Sequence, residues 1–173
     1  MKAMAATQYG SPDVLALTEL ADPKVGPDTV LVRTKAAGVN PVDWKVLAGY
    51  LDGVMRVHFP LVPGWDVAGV VERVGAAVTE FAPGDEVVGY VREDHVQCGT
   101  YAELVGAPVR TLAKKARALD WHAAAGLPLA GLTALQALDA VGVAAGEMLL
   151  VHNASGGVGS LAVQIARARG ARV

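Results

Sequence analysis

The sequence is short of several things, and each shortage removes a class of function. It has one cysteine, Cys98, in 173 residues, which excludes a disulfide within the chain and a multi-cysteine zinc lobe. Stability must come from packing. It has no basic run: 15 Lys and Arg face 17 Asp and Glu, for a net charge of -2. No cluster can neutralise several phosphates, so nucleic acid is not an expected partner. No apolar run approaches the roughly 18 residues of a bilayer span, and Gly10 and Pro12 interrupt the N-terminus before a signal-type apolar core forms. The expectation is a cytoplasmic protein with no membrane partner. No internal repeat or low-complexity segment occurs.

What is present is ample apolar material, 53% of residues against 18% charged, with a mean hydropathy of +0.36. Such a chain can bury a core and shows no compositional sign of disorder. Its texture changes once. Over residues 1–118, short β-rich runs such as "VLVRTKAAGV", "DVAGVVERVG" and "DEVVGYV" are punctuated by Gly, Pro and Asp. This spacing predicts a small, mostly antiparallel barrel, with "VLVRTKA" carrying one wet face. Over residues 119–173 the Ala- and Leu-rich stretch "DWHAAAGLPLAGLTALQALDAVGV" predicts a helix, followed by a short strand at roughly 147–152, a glycine turn and a second helix. The fold class is therefore mixed β and α/β, with a boundary near 115–120.

The glycine turn carries the chemistry. Met148 to Val151 is an apolar run suited to a parallel strand buried on both faces. "NASGGVG" follows at once, and Val158, Leu161, Ala162 and Ile165 then recur at helical spacing. Gly170 is placed to stop that helix, with Arg167 and Arg169 near its negative end. Strand, glycine turn and helix stand in the order a dinucleotide site requires, because free N–H groups and a partial positive charge at the helix start attract a pyrophosphate; the other reading is a glycine turn that joins strand to helix for steric reasons only. The spacing is Ala154-x-Gly156-x-x-Gly159, with Ala154 where the first glycine usually stands. Ser155 is open to two readings, a hydroxyl on the phosphate or a helix cap. The acidic or basic residue that selects NAD or NADP belongs about 20 residues further on, just beyond Val173.

Taken in order, "AAGVNPVDWKVLAGY", "FPLVPGWDVAGVVERVG", "FAPGDEVVGY", "GTYAELV", "AAGLPLAGLTALQAL" and "VHNASGGVGSLAVQIARARGARV" resemble the medium-chain dehydrogenase/reductase superfamily. Within it the chain is similar to the zinc-independent quinone oxidoreductases, the group that includes zeta-crystallin. The resemblance covers nearly all of this chain and about the first half of such a protein. It implies a chaperonin-10-like (GroES-like) catalytic barrel followed by the first part of a Rossmann domain, with the active site in the cleft between them.

The resemblance also implies roles. Nicotinamide-side contacts fall on Asn40 and Thr133, and pyrophosphate contacts on Ser155, Gly156, Gly157, Val158 and Gly159. Tyr50 matches a tyrosine at the substrate end of the cleft, where its hydroxyl either polarises a carbonyl or merely packs. Lys45 stands where some quinone reductases carry an aromatic residue. Zinc-dependent relatives place a cysteine ligand at Asn40 and a His-Glu pair at Trp65-Asp66; Asn and Trp cannot serve, so no catalytic zinc is expected. His95-x-x-Cys98 is expected to be ordinary loop, and His58, His122 and His152 share no ligand spacing. Asp43 and Asp66 are expected to make structural hydrogen bonds.

The implied cofactor is NADPH, with NADH not excluded, and the implied reaction is hydride transfer to a quinone or an α,β-unsaturated carbonyl. Without a zinc Lewis acid, an acceptor that spreads its own charge fits better than a simple ketone. A doubly wound sheet needs five or six strands, and this chain supplies one and the start of a second. The chain is thus expected to be a truncated part of a longer enzyme, a homodimer when full length. If it ends at Val173, it should be impaired or inactive. The alternatives are a catalytically silent binding or structural module and an enoyl-thioester reductase.

Overall fold

Turn residues cut the first part of the chain into nine short strands, and a computed structural model describes them together with all residues 1–173. In chain order these are β1 (Lys2–Ala5), β2 (Ala16–Glu19), β3 (Thr29–Gly38), helix α1 (Pro41–Leu47), β4 (Arg56–Val62), β5 (Asp66–Val74), β6 (Glu86–Tyr90), β7 (His95–Cys98), β8 (Leu104–Pro108) and β9 (Leu112–Lys114). Helices α2 (Trp121–Ala125), α3 (Pro128–Ala140) and α4 (Gly157–Ala168) follow. The chain divides into two units, Met1–Gly126 and Leu127–Val173.

In the first unit a five-stranded antiparallel sheet runs β8-β3-β5-β6-β9. Its inner face is built from β-branched side chains: Val30, Val32, Val67, Val71, Val87 and Val105 are all buried together. Such residues suit a pleated, packed surface, and burying each stabilises by about 1.5–3 kcal/mol over leaving it exposed. Strand β3 does not alternate cleanly. Val30, Leu31 and Val32 are buried in succession, and the pairing with β5 shifts between Leu31 and Val32, as a bulge requires.

Two further pairs complete this unit. β1 and β2 form an antiparallel ladder, while β4 and β7 pair in parallel. The parallel pair is the exception in a unit that is otherwise antiparallel, in keeping with the mostly antiparallel expectation. It also corrects the reading of His95 to Cys98 as loop, because these residues form β7 and bury Val96 to 4%.

The predicted helix after residue 119 is two helices. Pro128 has no N–H to give and its ring clashes with the preceding turn, so α2 stops at Gly126 and α3 begins at the proline. Asp120 caps α2 by accepting from the Ala123 amide at 2.7 Å. Ala124 and Ala125 then pack against Ala68 of β5, which places α2 with the barrel rather than with the helices after it.

In the second unit α3 and α4 pack through small residues, Ala134, Ala162 and Ala166, with Leu138, Leu161 and Ile165 around them. The expected strand at 147–152 is shorter and more open than its sequence suggests. Met148 bridges Arg172 in parallel, and the Leu149 and Arg172 amides complete the ladder with Arg172 and Glu147 carbonyls. Side chains of a strand alternate between faces. Leu149 and Val151 join the core, whereas Met148 and Leu150 are 76% and 78% exposed, so the strand is buried on one face and not on both.

Candidate functional site

Helix α1 opens the first region. Pro41 at its first position presets φ, and Asn40 caps it in a reciprocal box with Asp43. The Asn40 amide donates to Asp43 Oδ2 at 2.7 Å, and Tyr101 donates its hydroxyl to the same oxygen at 2.8 Å. The Asn40 side-chain Nδ2 donates to Asp66 Oδ2 at 2.9 Å. Asp43 is 4% exposed and Asp66 1% exposed, so both carboxylates serve inside the fold, as the sequence reading expected. Burial pushes the Asp43 carboxyl above its ordinary value and is the larger effect, while hydrogen bonds from the Asn40 amide, the Tyr101 hydroxyl and the Gly64 amide pull the other way.

Tyr50 lies past the other end of α1, 68% exposed, its ring edge-to-face with Trp44 at 5.7 Å. Lys45 stands over the Trp44 ring at 5.8 Å. Trp44, Ala48 and Tyr50 with Gly10, Ser11 and Pro12 line an open hollow of about 400 Å³. Elsewhere in this unit β4 and β7 bring the His58 and His95 rings within 5.9 Å. No group of three or more His, Cys, Asp or Glu is placed to hold a metal ion.

The second region is the turn into α4. Asn153 takes a positive φ of 54°, which asparagine tolerates. Its carbonyl accepts from the Gly156 amide at 3.0 Å. Gly156 is the cap residue and no side chain caps the helix, which answers one of the two readings of Ser155: it does not serve as a cap. A Cβ on Gly156 would sit 2.7 Å from Asn153 Nδ2, and one on Gly159 would collide with the Asn153 carbonyl, while Gly157 faces open space. Glycine is therefore required at 159, where the backbone folds on itself, while at 156 a Cβ would displace the Asn153 side chain. The first amides of α4, with no acid in the first turn, carry the helix's partial positive charge outward. Thr133 lies on α3, its hydroxyl donating back to the Leu129 carbonyl at 2.7 Å.

The structure thus brings Asn40, Asp43 and Asp66 together and gathers Ser155 to Gly159 at one helix end, but it leaves Tyr50 outside the buried network. Tyr101 was not among the sequence candidates. Its only local signal is the motif "GTYAELV", because its bond to Asp43 spans 58 positions.

Residues 26–117 match the model of the alcohol dehydrogenase GroES-like domain, more than half of the chain. The chain belongs to that family. It is 41% identical over 172 residues to 2-methylene-furan-3-one reductase of Solanum lycopersicum, covering 96% of this chain and 44% of that protein. It is 42% identical to the chloroplastic NADPH-dependent alkenal/one oxidoreductase of Arabidopsis thaliana, with the same coverage. Among solved structures, the quinone oxidoreductase from Coxiella burnetii superimposes with a TM-score of 0.87 at 38% identity, covering 99% of this chain and 54% of that one. The chain spans about half the length of the curated relatives it matches.

Proposed function

We propose that this chain is the catalytic barrel and nucleotide-binding start of an NADPH-dependent, zinc-independent oxidoreductase that reduces quinones or α,β-unsaturated carbonyls. The observation that carries it is the turn at Asn153–Gly159, where a Cβ at Gly159 would collide with backbone and no side chain caps the helix start. Those residues fit a diphosphate: the amides of Gly157, Val158 and Gly159 would hold it, with the Ser155 hydroxyl beside them. A relative that is NADPH-dependent by name supports this cofactor.

When bound, the dinucleotide supplies the hydride. The chain supplies the rest. By the family resemblance, Asn40, held by Asp43 and Asp66 in the first unit, and Thr133 in the second are each proposed to contact the nicotinamide side. The Trp44–Tyr50 pair offers an apolar shelf for a flat acceptor, with the Tyr50 hydroxyl available to guide a proton to the reduced carbon or oxygen.

A catalytic metal does not fit the donor set at this position. Asn40 and Trp65 lack thiolate and imidazole, and the Asp66 carboxylate is engaged with the Asn40 amide. With no Lewis acid, the chemistry suits acceptors that delocalise their own developing charge. The same reading includes a homodimer when full length and a cytoplasmic location. No helix is long and apolar enough to cross a membrane.

The test is NADPH oxidation followed with a quinone, an enone and a simple ketone in parallel, before and after chelation. Turnover of either conjugated acceptor, unaffected by chelator, is the expected outcome. Preference for the simple ketone, or loss of activity on chelation, would overturn it.

A further inference from the structure

We propose that His58 and His95 form a two-imidazole site for a divalent transition metal, an ion that clips β4 to β7. The site goes beyond the redox reading above and does not depend on it.

Side chains alternate along a strand, so the register of β4 with β7 decides which residues share a face. Arg56 lies opposite His95, and Val57 opposite Val96. Val96 is 4% exposed and turns inward, which sends Arg56, His58 and His95 to the outer face together. Both imidazoles are exposed there, and no hydrogen bond or ion pair holds either one. Val54, Arg56 and Asp94 line the same open hollow of about 540 Å³. Along the chain His58 shares no ligand spacing with another histidine. The fold supplies the neighbour.

The separation is that of a chelate. A zinc–imidazole bond of about 2.0–2.1 Å puts the ion roughly 3.2 Å from the ring centroid, so two rings on one ion have centroids roughly 4.5 Å apart at a right angle and roughly 6.4 Å apart in line. The observed 5.9 Å lies between these limits. The rings stand at 81° to each other, and rotation about Cβ–Cγ, a soft torsion in histidine, would turn one nitrogen of each toward a common point.

Imidazole suits copper, nickel and zinc, with copper bound most tightly. No third His, Cys, Asp or Glu is placed to join the pair, so water completes the shell and affinity rests on two nitrogens. Within the hollow the Arg56 guanidinium opposes a cation, and the Asp94 carboxylate favours it. The ladder gives the clip a consequence. After Val57 the β4–β7 register breaks and resumes only at Val62 with Cys98, and a two-stranded sheet holds weakly by itself.

The experiment is calorimetric titration of the full chain, first stripped with chelator, with copper, nickel and zinc chlorides, and electron paramagnetic resonance of the copper form. One ion should bind per chain, copper tightest, with two imidazole nitrogens coupled to it. His58→Ala and His95→Ala should each weaken binding at least about tenfold, since loss of an outer-shell partner alone costs that much, and should leave one coupled nitrogen. Arg56→Gln should tighten binding severalfold, whereas Cys98→Ser and His122→Ala should leave it unchanged. Zinc should raise the urea midpoint of the unaltered chain and of neither histidine variant, because an ion held by the folded chain alone stabilises it. Both rings are exposed, so both variants should fold; if one does not, the other decides.

No binding of any of these ions overturns the site. So does binding that persists in both histidine variants, which would mark an adventitious ion only, or binding lost in Cys98→Ser, which would move the ligand set to the thiol.

Discussion

The two units solve the problem of burial differently. In the barrel, Val30, Val32, Val67 and Val87 are fully buried between strands that pair on both sides. In the α/β unit the fully buried residues are alanines, Ala134 and Ala166, and the strand leading to the glycine turn shows Met148 and Leu150 to solvent. The barrel is stabilised by large side chains filling a closed space. The second unit is shaped by close approach of backbones, where small residues and glycines set the geometry of a helix start. Stability and site construction are therefore governed by different residues, and substitutions should separate them.

The largest effect belongs to the barrel. Leu31 is 1% exposed, and Leu31→Ala should destabilise the first unit by about 2–5 kcal/mol through lost burial and a residual cavity. Urea unfolding checks it, with the midpoint falling at unchanged slope. In the second unit Gly159→Ala should cost about 1–3 kcal/mol, because the new methyl meets the Asn153 carbonyl and the turn must open. NADPH binding should fall by more than about tenfold while the barrel's unfolding is unchanged. Loss of barrel stability in this variant, or retention of full affinity, would erase the distinction between the units.

Tyr101→Phe comes next and tests a pH dependence. Asp43 is buried with a raised pKa, so its ionisation opposes folding: its contribution is most favourable below the unfolded value and is lost as pH rises through the folded one. The Tyr101 hydroxyl bonds to the ionised form and limits that loss. Removing it should destabilise by about 1–2 kcal/mol at neutral pH. The gap to the unaltered protein should narrow on acidification toward the ordinary carboxyl range, where Asp43 is protonated in both. Equilibrium unfolding at several pH values measures it, and a gap that widens in acid would contradict the assignment.

Legibility in the sequence follows the range of the interaction. The glycine turn and α4 were readable because strand, turn and helix are contiguous and their periods differ. Gly170 ends α4 with a φ of 85°, as its position implied. The network around Asn40 was readable only in part. Asn40 and Asp43 are one helical turn apart, but Asn40 meets Asp66 across 26 positions, a neighbour supplied by the β3–β5 register. Nothing local in a single sequence fixes that register, which shifts twice along the pair, between Leu31 and Val32 and between Thr34 and Ala36. The parallel β4–β7 pair escaped for the same reason. Pro128 is the opposite case: a local signal for a helix break inside a stretch whose alanines and leucines read as one continuous helix.

The smallest expected effect tests the exposed strand. Leu150 is a large apolar residue at 78% exposure, yet its neighbours Leu149 and Val151 face the core. Leu150→Ser removes no contact within the unit as it stands and leaves the backbone ladder with Arg172 intact. Its stability change should lie within about 0.5 kcal/mol, the range of ordinary surface substitutions. Denaturant unfolding of the variant beside Leu31→Ala makes the comparison direct. A loss approaching that of Leu31→Ala would show that the outer face of this strand is covered in solution, which would place it with the barrel in being stabilised by large side chains on both sides.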